Sequence, residues 1–95
     1  MEPDLDGLLA ELGELYSFID VDVSEFPAVG HHPRFLEARA LVLEAADVLA
    51  RATSKAHAQD PAYRTRAEKA VRYARQAVKK ARPMVLLARL REKLR

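Results

Sequence analysis

The chain has 95 residues, of which 49% are hydrophobic and 32% are charged, and its formal net charge is +2. This length fits one small domain, residues 1–95, and the composition excludes a globally disordered chain. The absence of cysteine excludes disulfides, thiolate metal sites and a cysteine nucleophile. The first residues are acidic where a secretory signal would be basic, and no run approaches the ~20 apolar residues of a membrane span. We therefore predict a cytoplasmic protein with no membrane span.

The charges are distributed unevenly along the chain. Residues 1–33 contain eight acidic side chains and no Lys or Arg, whereas residues 61–95 contain twelve Lys or Arg and two Glu. Such an asymmetry indicates either charge matching inside the fold or an acidic partner.

Apolar residues recur at helical spacing near the N-terminus and predict a first helix over about 4–20. These residues are Leu5, Leu8, Leu9, Leu12, Leu15, Tyr16 and Ile19. Residues 20–32 break the period and contain Pro27 and Gly30, so they predict a connecting loop. Four large apolar residues are predicted to hold this loop against the bundle: Val21, Val23, Phe26 and Val29.

The stretch 33–58 predicts the central helix of a helical bundle. His32 precedes it, and Pro33 occupies the first helical position, where its missing N–H costs nothing. Its apolar residues cover an arc of roughly 220°, which is wider than the ~100° that one neighbour covers. We therefore expect other elements to pack on this helix from two or three sides.

Asp60 and Pro61 form an N-cap and first-turn pair that predicts a third helix over about 61–82. The stripe that this helix would bury is mostly alanine, so its neighbour should approach closely. Beyond it, the terminal leucines would lie opposite the alanine stripe, and a break at Arg82-Pro83 is predicted. The resulting fold class is all-α, a small bundle of three long helices plus a short C-terminal helix over about 83–93.

The outward face of the predicted third helix is basic, and we interpret it as the surface that engages an acidic partner. Phosphate groups or acidic side chains would bind such a face without sequence-specific readout. Its candidate partner-binding residues are Arg64, Lys69, Arg72, Arg75, Lys79, Lys80 and Arg82. Two alternatives stay open: the acidic first helix covers and neutralises this face, or the face is simply solvated.

The C-terminal segment, PMVLLARLREKLR, carries a stripe of leucines among basic residues. We predict a homodimer formed through this stripe or through the apolar arc of the central helix. The candidate oligomer-contact residues are Leu86, Leu87, Leu90 and Leu94. Such a segment can also pack on its own bundle or lie on an anionic membrane surface.

Two acidic motifs, Glu11-Leu-Gly-Glu14 and Glu44-Ala-Ala-Asp47, lie on predicted helices with 29 residues between them. The pair resembles the MazG-like all-α nucleoside triphosphate pyrophosphohydrolases, in which Glu-x-x-Glu and Glu-x-x-Asp on neighbouring helices bind Mg²⁺. Mg²⁺ takes oxygen ligands and bridges substrate phosphates. The resemblance covers about residues 8–73, and it implies Glu11, Glu14, Glu44 and Asp47 as metal ligands. It also implies that Lys69 and Arg72 contact phosphate.

These patterns lead to one leading functional hypothesis and one alternative. The leading hypothesis is a non-enzymatic helical interaction module without a cofactor, whose basic third helix engages an acidic protein or a nucleic acid backbone. The alternative is the Mg²⁺-dependent nucleotide pyrophosphohydrolase that the resemblance implies.

Overall fold

A computed structural model of the chain describes residues 5–20, 27–54 and 60–94, and every regular element in those ranges is an α-helix. The elements are α1 (Leu5–Ile19), α2 (Pro27–Gly30), α3 (Pro33–Thr53) and α4 (Pro61–Lys93). The prediction of an all-α helical bundle is therefore confirmed. No helix within the described ranges is long and apolar enough to cross a bilayer.

The three long helices form an up-down-up bundle, in which α1 runs parallel to α4 and α3 runs antiparallel to both. Along α1, Glu11 contacts Arg75 and Phe18 lies under Arg82, so the residue numbers of α1 and α4 increase together. On the other side of α4, Lys80 borders a cleft with Glu37 of the first turns of α3. The N-terminal end of α3 therefore lies beside the C-terminal half of α4.

The core follows a seven-residue repeat on α3 and α4, whose contact with each other is the most extensive in the bundle. The buried positions alternate spacings of three and four, which keeps one face of each helix toward its partner. On α3 these positions are Phe35, Ala38, Val42, Ala45, Leu49 and Ala52, and on α4 they are Ala67, Val71, Ala74, Val78, Ala81 and Val85. Because about half of them are alanine, the two helices can approach closely, as the sequence predicts.

Local capping chemistry fixes where α3 and α4 begin. The Nδ1 atom of His32 accepts a hydrogen bond from the backbone N–H of Arg34, at 3.1 Å. Asp60 Oδ1 accepts in the same way from the N–H of Ala62, at 2.9 Å. These bonds satisfy N–H groups that the first helical turn leaves unpaired, and a proline follows each cap. Both predicted helix starts are confirmed.

The end of α3 differs from the prediction of a helix to residue 58. The helix ends at Thr53, because Ser54 adopts an extended conformation with ψ of 151° and its N–H donates to the Arg51 carbonyl. Residues 55–58 of the predicted helix lie outside the described ranges.

The predicted loop over 20–32 contains a helical turn, α2, close to its end. Val29 of α2 is completely buried, which confirms that it holds this connection against the bundle. Val21, Val23 and Phe26, to which the same role was assigned, lie outside the described ranges. The Oε1 atom of Glu92 accepts a hydrogen bond from the N–H of Ala28, at 2.6 Å, and joins α2 to the last turns of α4.

The predicted break at Arg82-Pro83 is wrong, since α4 continues through Pro83 to Lys93 and no separate helix begins at residue 83. The buried seven-residue repeat explains this continuity, because it extends past Pro83 through Val85 and the partly buried Ala88 and Glu92. Proline therefore interrupts the hydrogen bonding of α4 on its exposed side, while apolar packing continues on the opposite side. The terminal leucines remain exposed, because the chain does not turn back toward the core at Pro83.

Other elements cover α3 on several sides, as its wide apolar arc predicts. It contacts α1, α2 and α4. Leu36 and Leu43 nevertheless remain 46% and 41% exposed at the margin that faces α1. The apolar arc is thus wider than the surface that the bundle covers.

We expect Pro83→Ala to stabilise the protein by about 1–3 kcal/mol, because alanine restores the N–H that proline lacks within an otherwise continuous helix. Urea unfolding monitored by circular dichroism would measure this change. Pro33→Ala is the matched control, and we expect it to give no comparable gain because Pro33 lies in the first turn of α3. An unchanged or lowered free energy of unfolding for Pro83→Ala would contradict a continuous α4.

Candidate functional site

Four exposed cationic side chains follow the outward face of α4, and we call them the basic ridge: Lys69, Arg72, Lys79 and Lys80. At 100° per residue, all four lie within about 50° of the direction opposite the buried stripe. Among the described residues, none of the four forms an ion pair. The ridge therefore presents to the solvent positive charge that no ion pair among the described residues neutralises.

Of the other three predicted partner-binding residues, Arg75 and Arg82 lie toward α1. Arg75 Nε is 2.9 Å from Glu11 Oε1. The guanidinium of Arg82 lies 5.9 Å from the ring centre of Phe18, within the range of a cation–π contact. Arg64 is partly buried. These three side chains are thus less available to a partner than the basic ridge.

A cleft of about 250 Å³ between α1 and α4 shows how far the acidic first helix compensates the basic face. Glu11 and Glu14 line it from α1, and Arg75, Lys79 and Arg82 line it from α4. Internal charge matching therefore takes place at one margin of α4. Lys69, Arg72 and Lys80 lie outside this cleft, so α1 leaves most of the basic ridge uncovered.

The predicted oligomer-contact residues lie on the surface of the last turns of α4 and at its C-cap residue Leu94, beyond the basic ridge. Together with Met84 they form what we call the leucine face, with these exposed fractions: Met84 48%, Leu86 58%, Leu87 51%, Leu90 51% and Leu94 85%. Such exposure suits an intermolecular contact, although the homodimer itself stays a prediction. Met84 was not among the predicted contact residues. Its spacing of four residues from Lys80 and three from Leu87, which are both exposed, was the available signal.

Glu92 was not predicted as a functional residue, and it supports the leucine face from behind. This residue is partly buried, and its carboxylate holds the backbone of α2 against α4 through the bond to Ala28. Its place in the seven-residue repeat could have identified Glu92 from the sequence, because it follows Val85 and Ala88 in the buried stripe. A hydrogen bond across 64 residues was not visible in the sequence.

The structure does not bring the four candidate metal ligands together. Glu11 and Glu14 border the cleft toward α4, where Arg75 pairs with Glu11. Glu44 is exposed on α3, and Asp47 Oδ2 lies 3.4 Å from Arg51 Nη2 one turn along the same helix. Among the described residues, no three His, Cys, Asp or Glu side chains form a group that could hold a metal ion. The Mg²⁺ site and the hydrolase activity stay predictions that no described contact favours.

A second cleft, of about 470 Å³, lies between α1 and α3. Its apolar lining includes Ile19, Phe35 and Leu36, and it continues the exposed margin of α3. The charged groups that line it, Asp20 and Arg39, are exposed. Ligand pockets generally orient their ligand with a few enclosed polar groups. The exposed charges of this cleft are more typical of a protein surface.

We expect the ion pair between Glu11 and Arg75 to contribute about 0.2–1 kcal/mol to stability, because the two side chains are 29% and 56% exposed and solvent screens their attraction. A double-mutant cycle with Glu11→Ala and Arg75→Ala, measured by urea unfolding, would give the coupling free energy. This coupling should fall as salt is added. The same cycle on Asp47 and Arg51, which are 64% and 69% exposed, is the control with the weaker expected coupling. Coupling of zero, or coupling insensitive to salt, would contradict a formed pair at the α1–α4 margin.

Comparison with known proteins does not identify a family or a function for this chain. No family model, no curated protein and no solved structure matches the chain. The residues of the basic ridge and of the leucine face are therefore the basis for a functional proposal.

Proposed function

We propose that this chain is a non-enzymatic interaction module that engages an acidic partner, a protein or a nucleic acid backbone, through the basic ridge of α4. The observation that carries the proposal is the exposure of Lys69, Arg72, Lys79 and Lys80 on one face of a single helix. A polyanion that follows this face would meet all four charges at once. Such binding depends strongly on salt, because it releases counterions from the polyanion.

The cost of this arrangement to the free protein supports the same proposal. Lys69 and Arg72 are three residues apart, so these like charges are neighbours on the helix surface. Such a pair destabilises an isolated helix by a few tenths of a kcal/mol. A local arrangement that lowers stability is expected mainly where a function requires it. An acidic partner would remove this repulsion, because it places negative charge between the cations.

Neutralising the basic ridge should weaken binding to polyanions. For the triple variant K69Q/R72Q/K80Q, we expect weaker binding to a short DNA duplex or to polyglutamate, measured by fluorescence anisotropy at low and moderate salt. For DNA, the slope of log affinity against log salt should fall by about 2–3, since each lost phosphate contact removes about 0.9. The matched control is R34Q/R39Q/R51Q, which removes three exposed arginines from α3.

Comparison of the two probes also distinguishes a nucleic acid partner from an acidic protein partner. Ridge-dependent binding of only one probe identifies that class, nucleic acid or acidic protein. If neither probe binds at low salt, or if the ridge and α3 variants lose affinity equally, the proposed function is wrong.

Replacing the two glutamates of α1 beside the basic ridge should strengthen binding to polyanions. The variant E11Q/E14Q frees Arg75 and removes two negative charges beside the basic ridge, so we expect tighter binding to the same probes. The control E44Q/D47N changes the net charge by the same amount, but its substitutions lie on α3. A gain in affinity that is equal in both variants would show that only the net charge matters and that α1 does not mask the ridge.

A further inference from the structure

The leucine face is wider than contact with one further helix requires. At 100° per residue it extends from Leu86 to Met84 over an arc of about 160°, whereas a helix packed on one neighbour buries a stripe of about 100°. Its five side chains are each about half exposed or more. The face is also convex, because it lies on the outside of a single helix and not in a groove between two.

Positive charge surrounds the leucine face. Arg82 and Arg89 share a cleft with Leu86 at the margin toward α1, and Arg91 is exposed near the opposite margin. The segment 84–94 contains one acidic residue, Glu92, whose carboxylate is directed to the N–H of Ala28 behind the helix. A partner of this face therefore meets apolar side chains with a basic margin and no exposed carboxylate from α4.

We propose that the leucine face docks onto an anionic lipid surface. Leu87, Leu90 and Leu94 would enter the boundary between headgroups and acyl chains, while Arg91 contacts lipid phosphates. Apolar residues with Lys and Arg at both margins are the features by which a helix binds in the plane of such an interface. The contact is peripheral, since the face occupies only the outer side of a helix whose inner side packs on the bundle.

The continuity of α4 makes a flat anionic surface a better fit than other occupants. Lys69, Arg72 and Lys80 lie on the same outward side as Leu87, Leu90 and Leu94, so one plane along α4 touches both sets. This part of the inference rests on the proposed function of the basic ridge. A helix of 33 residues is about 50 Å long, and the longest dimension of the described structure is 52 Å. A lipid surface can contact that full length without a groove.

Charge disfavours a second copy of the chain as the occupant. Symmetrical pairing of two leucine faces places the basic margins of both copies against each other, and like charges at an interface oppose association. Anionic headgroups supply the opposite charge at the same positions. The charge pattern therefore favours a lipid surface over a homodimer as the occupant of the leucine face.

The test uses the full chain with vesicles of phosphatidylcholine containing about one third phosphatidylserine, and with vesicles of phosphatidylcholine alone. Co-sedimentation should show binding to the anionic vesicles and at least tenfold weaker binding to the neutral ones. The variant L87Q/L90Q should bind the anionic vesicles at least tenfold more weakly. The matched control L36Q/L43Q, which replaces two exposed leucines seven residues apart on α3, should bind as the unchanged protein does. Circular dichroism confirms that each variant keeps its helix content.

Three results would overturn the inference. The first is no binding to the anionic vesicles at low salt, and the second is equal binding by L87Q/L90Q and the control. The third is a dimer in sedimentation equilibrium that L87Q/L90Q dissociates, because a second copy then occupies the leucine face.

The same variants distinguish this failure from failure of the proposed function. If DNA or polyglutamate still binds through the basic ridge while the vesicles do not bind, only the lipid inference fails. If the vesicles bind through the leucines while neither polyanion binds through the ridge, the lipid inference stands and the proposed function fails.

Discussion

The close contact between α3 and α4 is the constraint on which the rest of the structure depends. Alanines at every seventh position, Ala38 and Ala45 on one helix and Ala67 and Ala74 on the other, allow the backbones to approach. Valine, leucine and phenylalanine fill the positions between them. Because this repeat fixes the rotation of both helices about their axes, it also decides which side chains of α4 face the solvent. The basic ridge and the leucine face are consequences of that rotation.

Continuity of the buried stripe also explains why α4 tolerates Pro83. Breaking the helix would bury leucines but would take Val85 away from the core, where it is 3% exposed. The bond from Ala28 to Glu92 then holds α2 against the last turns of α4. The helix thus reaches its full length with one apolar stripe inside and a second one outside. A folded protein that leaves a large apolar patch exposed generally uses it for an interaction.

Electrostatics divides the surface of α4 into two parts. Toward α1, Glu11 and Glu14 compensate the cations, and the ion pair with Arg75 marks the extent of that compensation. On the outward side the cations have no such partner among the described residues, and their repulsion persists in the free protein. The acidic first helix therefore narrows the basic surface without removing it. Under the proposed function, this arrangement would direct an acidic partner to the outside of α4 and away from α1.

The sequence by itself determined the features that depend on neighbours along the chain. The starts of α3 and α4 follow from His32-Pro33 and Asp60-Pro61, because capping needs only the next few residues. Helical periodicity likewise determined the all-α class. Only the tertiary structure decided which of two apolar stripes near the C-terminus is buried. The buried stripe includes Val85, and the stripe of leucines is exposed. The tertiary structure also separated the two acidic motifs and paired Glu92 with Ala28. Those outcomes depend on which surfaces of distant helices meet, and helical spacing within one segment carries no information about its partner.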